Sequence, residues 1–276
     1  MTTSPPQSEP LIEVTNLTTH YGSRQILNGI SLTVNKGEVM VIMGGSGSGK
    51  STLLRHLIGL ERPTDGCIKL LGQDIGNMTE HEMTQLYRKV GVAFQGGALF
   101  SSMTVGENIM LPLREHTKLD QKTMEIMVRL KLEVVNLAGF EYLMPSELSG
   151  GMLKRAAFAR AVIMDPVLLF CDEPSAGLDP VVSSSLDELI LRLRDALDMT
   201  IVVVTHELES AFRIADRITV LDKGDILTIG SVDEVRASDN KRIQDLLNRH
   251  FEEEILDPDA YLARLTGEPE STLSHA

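Results

Sequence analysis

Gly44-Gly45-Ser46-Gly47-Ser48-Gly49-Lys50-Ser51-Thr52 is the stretch from which the rest of the chain can be read. It matches GxxxxGK[ST] in the setting that motif requires, with the apolar run Val39–Met43 before it and the amphipathic run Thr52–Leu60 after it. Glycines let the backbone curl until successive N–H groups point inward, and a following helix adds its positive end, which makes a pocket for a β-phosphate. Lys50 then reaches the β- and γ-phosphates, Ser51 offers its hydroxyl to Mg²⁺, and Thr52 faces the α-phosphate. A flexible glycine-rich turn is the plain alternative. The ordered strand, loop, lysine and hydroxyl argue against it and for a nucleotide, without saying which reaction follows.

Moving outward, Val167–Cys171 and Ile201–Val204 are also short, continuous and apolar, and with Val39–Met43 they read as buried strands of a parallel α/β core. Nearer the start, Ile12 and Val14 alternate with Glu13 and Thr15, and Ile30, Leu32 and Val34 alternate with Ser31 and Thr33. That period of two predicts half-exposed strands in an antiparallel sheet. Between the first two apolar runs the spacing predicts one long helical region, opening on a capping box at Thr79 and Glu82 and continuing through Lys122–Leu137. Val182, Leu186, Leu189, Ile190, Leu193 and Leu197 share a stripe, which predicts an amphipathic helix over the sheet. Beyond Arg236 a further helical spacing runs through Ile243, Leu246, Leu247 and Phe251, and Asp257-Pro258 ends it. From Phe251 onward seven acids face one strong base, Arg264, and the last ten or so residues are expected to be disordered.

The 276 residues are 42% hydrophobic, enough for a well-buried core. Their formal charge of -13, from 26 Lys plus Arg and 39 Asp plus Glu, opposes binding to nucleic-acid phosphates, so no nucleic-acid partner is expected. Cys67 and Cys171 are far apart and form no CxxC, which fits a reduced, cytosolic setting. The opening MTTSPPQSEP has neither the basic start nor the apolar stretch of a signal peptide, and it reads as a disordered lead. No apolar run approaches the ~20 residues of a membrane-spanning helix.

The apolar run Leu168–Cys171 ends on Asp172 and Glu173. Neighbours on a strand point to opposite faces, so the two carboxylates are expected to take separate tasks. Asp172 is the candidate Mg²⁺ partner, and Glu173 is the candidate general base or positioner for the attacking water. Solvated acids at a strand end are the plainer reading, which Lys50 makes less attractive.

Between these sites stands Leu148-Ser149-Gly150-Gly151-Met152, followed by the helix-like Leu153–Met164. It resembles the LSGGQ signature of ABC ATPases, and the resemblance covers roughly residues 11–247. It implies an α/β P-loop NTPase of ABC type, with a mixed-sheet core, an antiparallel β subdomain and a helical subdomain inserted at about 97–164. A lead over 1–10 and an acidic extension over 248–276 flank this domain. The resemblance also implies a role for each of several single residues. Tyr21 matches the aromatic residue that stacks on adenine, Gln95 the Q-loop glutamine that joins catalysis and Mg²⁺, Asp179 the end of the D-loop, and His206 the switch histidine. Ser149, Gly150 and Gly151 would form a second anion site that completes the ATP pocket of another copy, two cassettes meeting head to tail.

Met152 stands where glutamine is usual, which puts in doubt any polar role of that side chain. With Phe94–Phe100, Leu111–His116 and the extended tail, it resembles the Mla-type cassettes of phospholipid transport. That likeness implies an integral membrane permease as partner, an MCE-domain protein and a small STAS-type regulatory subunit in the complex, and a place on the cytoplasmic face of the inner membrane. The permease contact is expected near Gln95–Leu113. An ABC ATPase for another cargo remains open, as does a soluble clamp acting on DNA or the ribosome, which the acid excess disfavours. A regulatory subunit without catalysis would lack the base or the switch residue, and both Glu173 and His206 are present.

Overall fold

The computed structural model describes residues 10–248. The alternating stretches near the start form β1 (Pro10–Tyr21) and β2 (Arg24–Asn35), paired antiparallel, with Ile12, Val14, Ile30, Leu32 and Val34 all buried on one face. They join β4 (Asp65–Leu70) and β5 (Gln73–Asp74) in a four-stranded sheet of order β2-β1-β4-β5. The three apolar runs become β3 (Val39–Met43), β7 (Leu168–Asp172) and β8 (Thr200–Thr205). With β6 (Val90–Ala93), β9 (Arg217–Asp222) and β10 (Asp225–Gly230) they make a six-stranded sheet of order β10-β9-β3-β8-β7-β6, parallel except for β10.

Helix α1 (Lys50–Leu57) fills the space between the sheets: Leu53 and Leu57 share one buried cluster with Val14 and Leu27 on one side and with Ile42, Phe170 and Val204 on the other. Each such side chain contributes roughly 1.5–3 kcal/mol by leaving water. The helix stops earlier than the apolar spacing suggested, at a turn where Gly59 has φ +71, and Leu60 is 61% exposed.

The capping box at Thr79 forms as expected, with the Glu82 N–H 3.3 Å from the Thr79 hydroxyl and the Thr79 N–H 2.8 Å from the Glu82 carboxylate. The helix it opens, α2 (Glu80–Tyr87), does not continue into a long helical region. β6 intervenes and extends the core sheet beside β7. Val90-Gly91-Val92-Ala93 is too short and too glycine-rich to stand out as a strand. Gly91 is there because a Cβ would come within 2.4 Å of the Ala161 carbonyl. Only after β6 does the chain leave the sheet for α3 (Val105–His116), α4 (Gln121–Val134) and α5 (Gly150–Ala161), and β7 returns it.

Helix α6 (Pro180–Leu197) buries Leu186, Leu189, Ile190 and Leu193 as the stripe required, but Leu197 is 38% exposed, because the chain turns away at Asp198 with φ +50. Asp187 is a polar member of the buried stripe. It accepts a hydrogen bond from Ser210 of α7 (Leu208–Ile214) and lies 3.4 Å from the Arg213 guanidinium. Helix α8 (Val232–Arg236) follows β10.

The chain divides into a unit ending at Ser238 and a second beginning at Asp239. In the second unit, α9 (Lys241–Leu247) starts at Asn240, whose side chain accepts from the Arg242 N–H. The expectations for residues 1–9, for Phe251 and for the acidic tail lie outside the described residues. Among the described residues, no helix is long and apolar enough to cross a membrane.

The buried polar knot between α6 and α7 has a measurable consequence. Asp187→Ala leaves the Ser210 hydroxyl buried without an acceptor and is expected to cost about 1–3 kcal/mol, lowering the thermal midpoint by several degrees. Asp187→Asn, which keeps an acceptor oxygen, is expected to cost less in the same melting experiment.

Candidate functional site

The site lies where three parallel strands end together. Met43 pairs with Thr205 and Val204 with Asp172, so the chain leaves β3, β8 and β7 at one edge of the sheet. From β3 it enters the glycine loop, where Gly47 (φ +72) and Gly49 (φ +104) take left-handed conformations. A Cβ on Gly44 would lie 2.1 Å from the Leu221 carbonyl, so that position admits no side chain. The loop is clamped from outside by the turn joining β9 to β10. The Gly224 N–H donates to the Ser48 carbonyl (3.0 Å), and the Gly224 carbonyl accepts from the Asn28 N–H (2.9 Å).

The Lys50 ammonium is largely buried and donates to the Gly44 and Gly45 carbonyls at 2.8 and 2.9 Å. Burial lowers its pKa, and the charges of Glu173 and Asp172 oppose that shift. Side chains of Thr79, Thr104, Asp120, Ser149 and Asp179 cap helices α2 to α6, whereas α1 has no side-chain cap. Its first-turn N–H groups on Lys50, Ser51 and Thr52 therefore stay available to an anion. The Ser48 hydroxyl is buried without a hydrogen-bond partner. A cradle of open donors with a lysine across it fits a polyphosphate.

From β7 the chain reaches the carboxylates. Burial and the neighbouring Glu173 raise the pKa of Asp172, and Lys50 and Arg55 partly offset the rise. Glu173 is not the next residue of an alternating strand, as the sequence suggested. β7 ends at Asp172, and Glu173 adopts φ +45, an uncommon conformation for a side chain of that size. That turn, rather than strand alternation, separates the two acids. Its N–H is held by the Val204 carbonyl (2.8 Å). Its carboxylate accepts from the Thr205 hydroxyl at 3.1 Å, the His206 N–H at 3.4 Å and His206 Nδ1 at 2.8 Å, so both oxygens are oriented. Such a conformation costs on the order of 1–2 kcal/mol and persists where neighbours over-determine it.

Ser149 begins α5, its hydroxyl accepting from the Met152 N–H at 3.3 Å. Gly151 is required because a Cβ would sit 2.6 Å from Val182 on α6. Among the described residues, no hydrogen bond or ion pair links Ser149, Gly150 or Gly151 to the loop at Gly44–Thr52.

Comparison with known proteins identifies the family. The family model described as ABC transporter matches residues 27–176. The chain is 40% identical over 240 residues to the intermembrane phospholipid transport system ATP-binding protein MlaF of Haemophilus influenzae, covering 87% of this chain and 91% of the relative. The chain belongs to the ABC transporter ATP-binding family. The cassette is also 41% identical over 237 residues to the probable ribonucleotide transport ATP-binding protein mkl of Mycobacterium tuberculosis. That match takes in 86% of this chain and 66% of the mycobacterial protein, just under two thirds of its length. A dimeric post-hydrolysis structure of the ATP-binding cassette MJ0796, bound to ADP and Pi, superposes with a TM-score of 0.74 at 29% identity, over 80% of this chain and 98% of that one.

The cassette's remaining expected residues sit on separate elements. Gln95 follows β6, the neighbour of β7, and is exposed. Asp179 caps α6 with one carboxylate oxygen, accepting from the Val181 and Val182 N–H groups at 3.1 and 3.0 Å. Tyr21 ends β1 in the other sheet, 47% exposed, its hydroxyl 2.5 Å from the Glu61 carboxylate.

Sequence reasoning missed two cations of α5. The Lys154 ammonium donates to the Glu173 carbonyl (3.3 Å) and the Ala176 carbonyl (2.5 Å), and Arg160 donates to the Ala98 and Gly97 carbonyls at 2.7 and 2.8 Å. One helix thus holds the turn carrying Glu173 and the Gly97-Ala98 turn after Gln95. The only sequence signal was their place, with Arg155, on a helix rich in alanine, where burial lowers the pKa of Lys154 and of Arg160. Charge-assisted bonds of this kind contribute about 1.5–3 kcal/mol each. Arg160→Ala is therefore expected to speed amide exchange across Gln95–Phe100 by roughly tenfold or more in hydrogen-exchange mass spectrometry, with the core strands unchanged.

Proposed function

We propose that this cassette is the ATP-hydrolysing subunit of a transporter that moves phospholipid between membranes. The observation that carries the reading is Glu173, oriented at both carboxylate oxygens beside the lysine of an uncapped phosphate cradle. First-turn N–H groups of α1 and the Lys50 ammonium would bind the β- and γ-phosphates, with Tyr21 under the adenine. Ser51, Asp172 and Gln95 would hold Mg²⁺, which when bound neutralises phosphate charge and orients the β- and γ-oxygens. Glu173 accepts the proton of the attacking water, and His206 and Thr205 keep its carboxylate aimed.

The Ser149–Gly151 helix start supports a second copy as partner: the Ser149 hydroxyl takes the Met152 N–H, and the N–H groups of Gly150 and Gly151 would face a phosphate presented by another chain. In the head-to-tail pair each Ser149 loop meets the γ-phosphate held by the other chain, with Asp179 at the shared boundary. ATP then has different affinities for the open and closed pairs, and that difference is what lets hydrolysis drive a change of shape.

Phospholipid as cargo is supported by the likeness to the MlaF protein, and the likeness to the ribonucleotide-named mycobacterial protein supports the alternative of another cargo. The same MlaF likeness supports an integral membrane permease, an MCE-domain protein, a small STAS-type subunit and a position on the cytoplasmic face of the inner membrane. Copurification from membranes, with the bound lipid and subunits identified, separates these cargo readings.

Glu173→Gln is expected to bind ATP and to dimerise, while turnover of the assembled complex falls by about 10²- to 10⁴-fold. An unchanged hydrolysis rate would remove Glu173 from the mechanism.

A further inference from the structure

Tyr21 occupies the tip of a hairpin. It is the last residue of β1, it pairs with Arg24 across the two-residue turn Gly22-Ser23, and nearly half of its surface is open to solvent. An aromatic side chain at such a tip ordinarily samples several rotamers, and a ligand that stacks on it must first freeze one. Here the ring is already held, because its hydroxyl donates to Glu61, whose other carboxylate oxygen lies 3.2 Å from the Arg55 guanidinium.

Glu61 is itself fixed on several sides. Its N–H and that of Leu60 reach back to the Arg55 carbonyl, at 3.3 and 2.9 Å, at the end of α1. Its carbonyl takes the Nδ1 proton of buried His56 (2.9 Å), and His56 Nε2 meets the Thr19 hydroxyl of β1 at 2.7 Å. Three residues on, Thr64 is stitched to the same strand: its N–H donates to the Thr18 carbonyl and its hydroxyl accepts from the His20 N–H. The segment carrying the carboxylate and the strand carrying the aromatic ring are therefore one rigid piece, continuous with the helix that begins at Lys50.

We propose that Glu61, backed by Arg55, is a positioning residue for the nucleotide base: it holds the Tyr21 ring in place at the hairpin tip, so that adenosine meets an ordered platform at a set distance from the phosphate cradle. The proposal rests on the reading of Tyr21 as the adenine-stacking residue. The hydrogen bond from Tyr21 also keeps the Glu61 carboxylate ionised to lower pH than usual, which maintains its pairing with Arg55. Glu61 and Arg55 would act on the base through the Tyr21 ring, to which the Glu61 carboxylate is bonded.

The test is isothermal titration calorimetry on the full chain with two probes, a non-hydrolysable ATP analogue with Mg²⁺ and tripolyphosphate, which has the phosphates but no base. Tyr21→Phe removes one surface oxygen and keeps the ring, and Glu61→Ala removes the anchor. Each is expected to weaken the ATP analogue by about three- to tenfold and to leave tripolyphosphate unchanged. The double variant is expected to be no weaker than the weaker single variant, because both remove the same constraint. Tyr21→Ala separates the two ideas. If it weakens the analogue while Tyr21→Phe and Glu61→Ala do not, the ring stacks without help and the positioning role is overturned. If Tyr21→Ala has no effect, the adenine reading fails and the proposal fails with it. Equal loss for tripolyphosphate, or additive losses in the double variant, would mean general damage to the subdomain and would also overturn it.

Discussion

The register of three parallel strands governs the rest of this molecule. Because Met43, Thr205 and Asp172 end at one level, the segments that follow them, the glycine loop, His206 and Glu173, emerge side by side without any long-range adjustment. The strands are buried on both faces and closely packed, so a slip of one residue would exchange the side chains between the two faces and shift the exit points, and the fit of the packing resists it. Onto that edge the chain places one strained residue. Glu173 leaves β7 with a positive φ, and its N–H, both carboxylate oxygens and its carbonyl are all engaged, by Val204, Thr205, His206 and Lys154. Local strain held in place from four sides is a way to fix a carboxylate to within a fraction of an ångström, which proton transfer demands.

Much of this was legible before any coordinates. Continuous apolar runs marked β3, β7 and β8 because strands covered on both faces have no polar side to show, and alternation marked β1 and β2 because they have one. The phosphate loop was legible because its chemistry is local, confined to nine adjacent residues. The failures share a cause as well. β6 is four residues long with a glycine at its second position, so it carries no usable periodicity, and its identity as a strand comes from β7 beside it and the end of α5 above it. Asp187 breaks the α6 stripe because its partners, Ser210 and Arg213, lie on the next helix. Lys154, Arg160 and Glu61 act on backbone or side chains far away in sequence, and nothing in their immediate neighbours announces it. Strand alternation was expected to part Asp172 from Glu173, and a left-handed turn at Glu173 does so instead, because β7 ends one residue earlier.

Helix α5 is where the parts of the cassette meet. Its start is the Ser149–Gly151 loop, its first turns hold the backbone of Glu173 through Lys154, and its end holds Gly97 and Ala98 through Arg160. In the proposed dimer the same rigid element would feel the partner's γ-phosphate at one end and the permease side at the other, with its own base between them. A helix transmits displacement along its axis with little loss, so the order of these contacts along α5 is a physical route from nucleotide to membrane. The phosphate cradle, by contrast, is anchored to the β9–β10 turn and to β2, outside the inserted helices. Binding and sensing are thus built on different supports within one chain.

The central claim is that one chain carries two halves of two different sites, completed only when a second copy is reversed against it. Crosslinking measures this directly, with cysteines replacing Ser46 in the phosphate loop and Ser149 at the start of α5, in the full chain carrying Glu173→Gln and with Cys67 replaced by serine. The account predicts a 46–149 crosslink between chains that forms with Mg-ATP and not with ADP. A crosslink within a single chain, or one between chains that ignores the nucleotide, would contradict it.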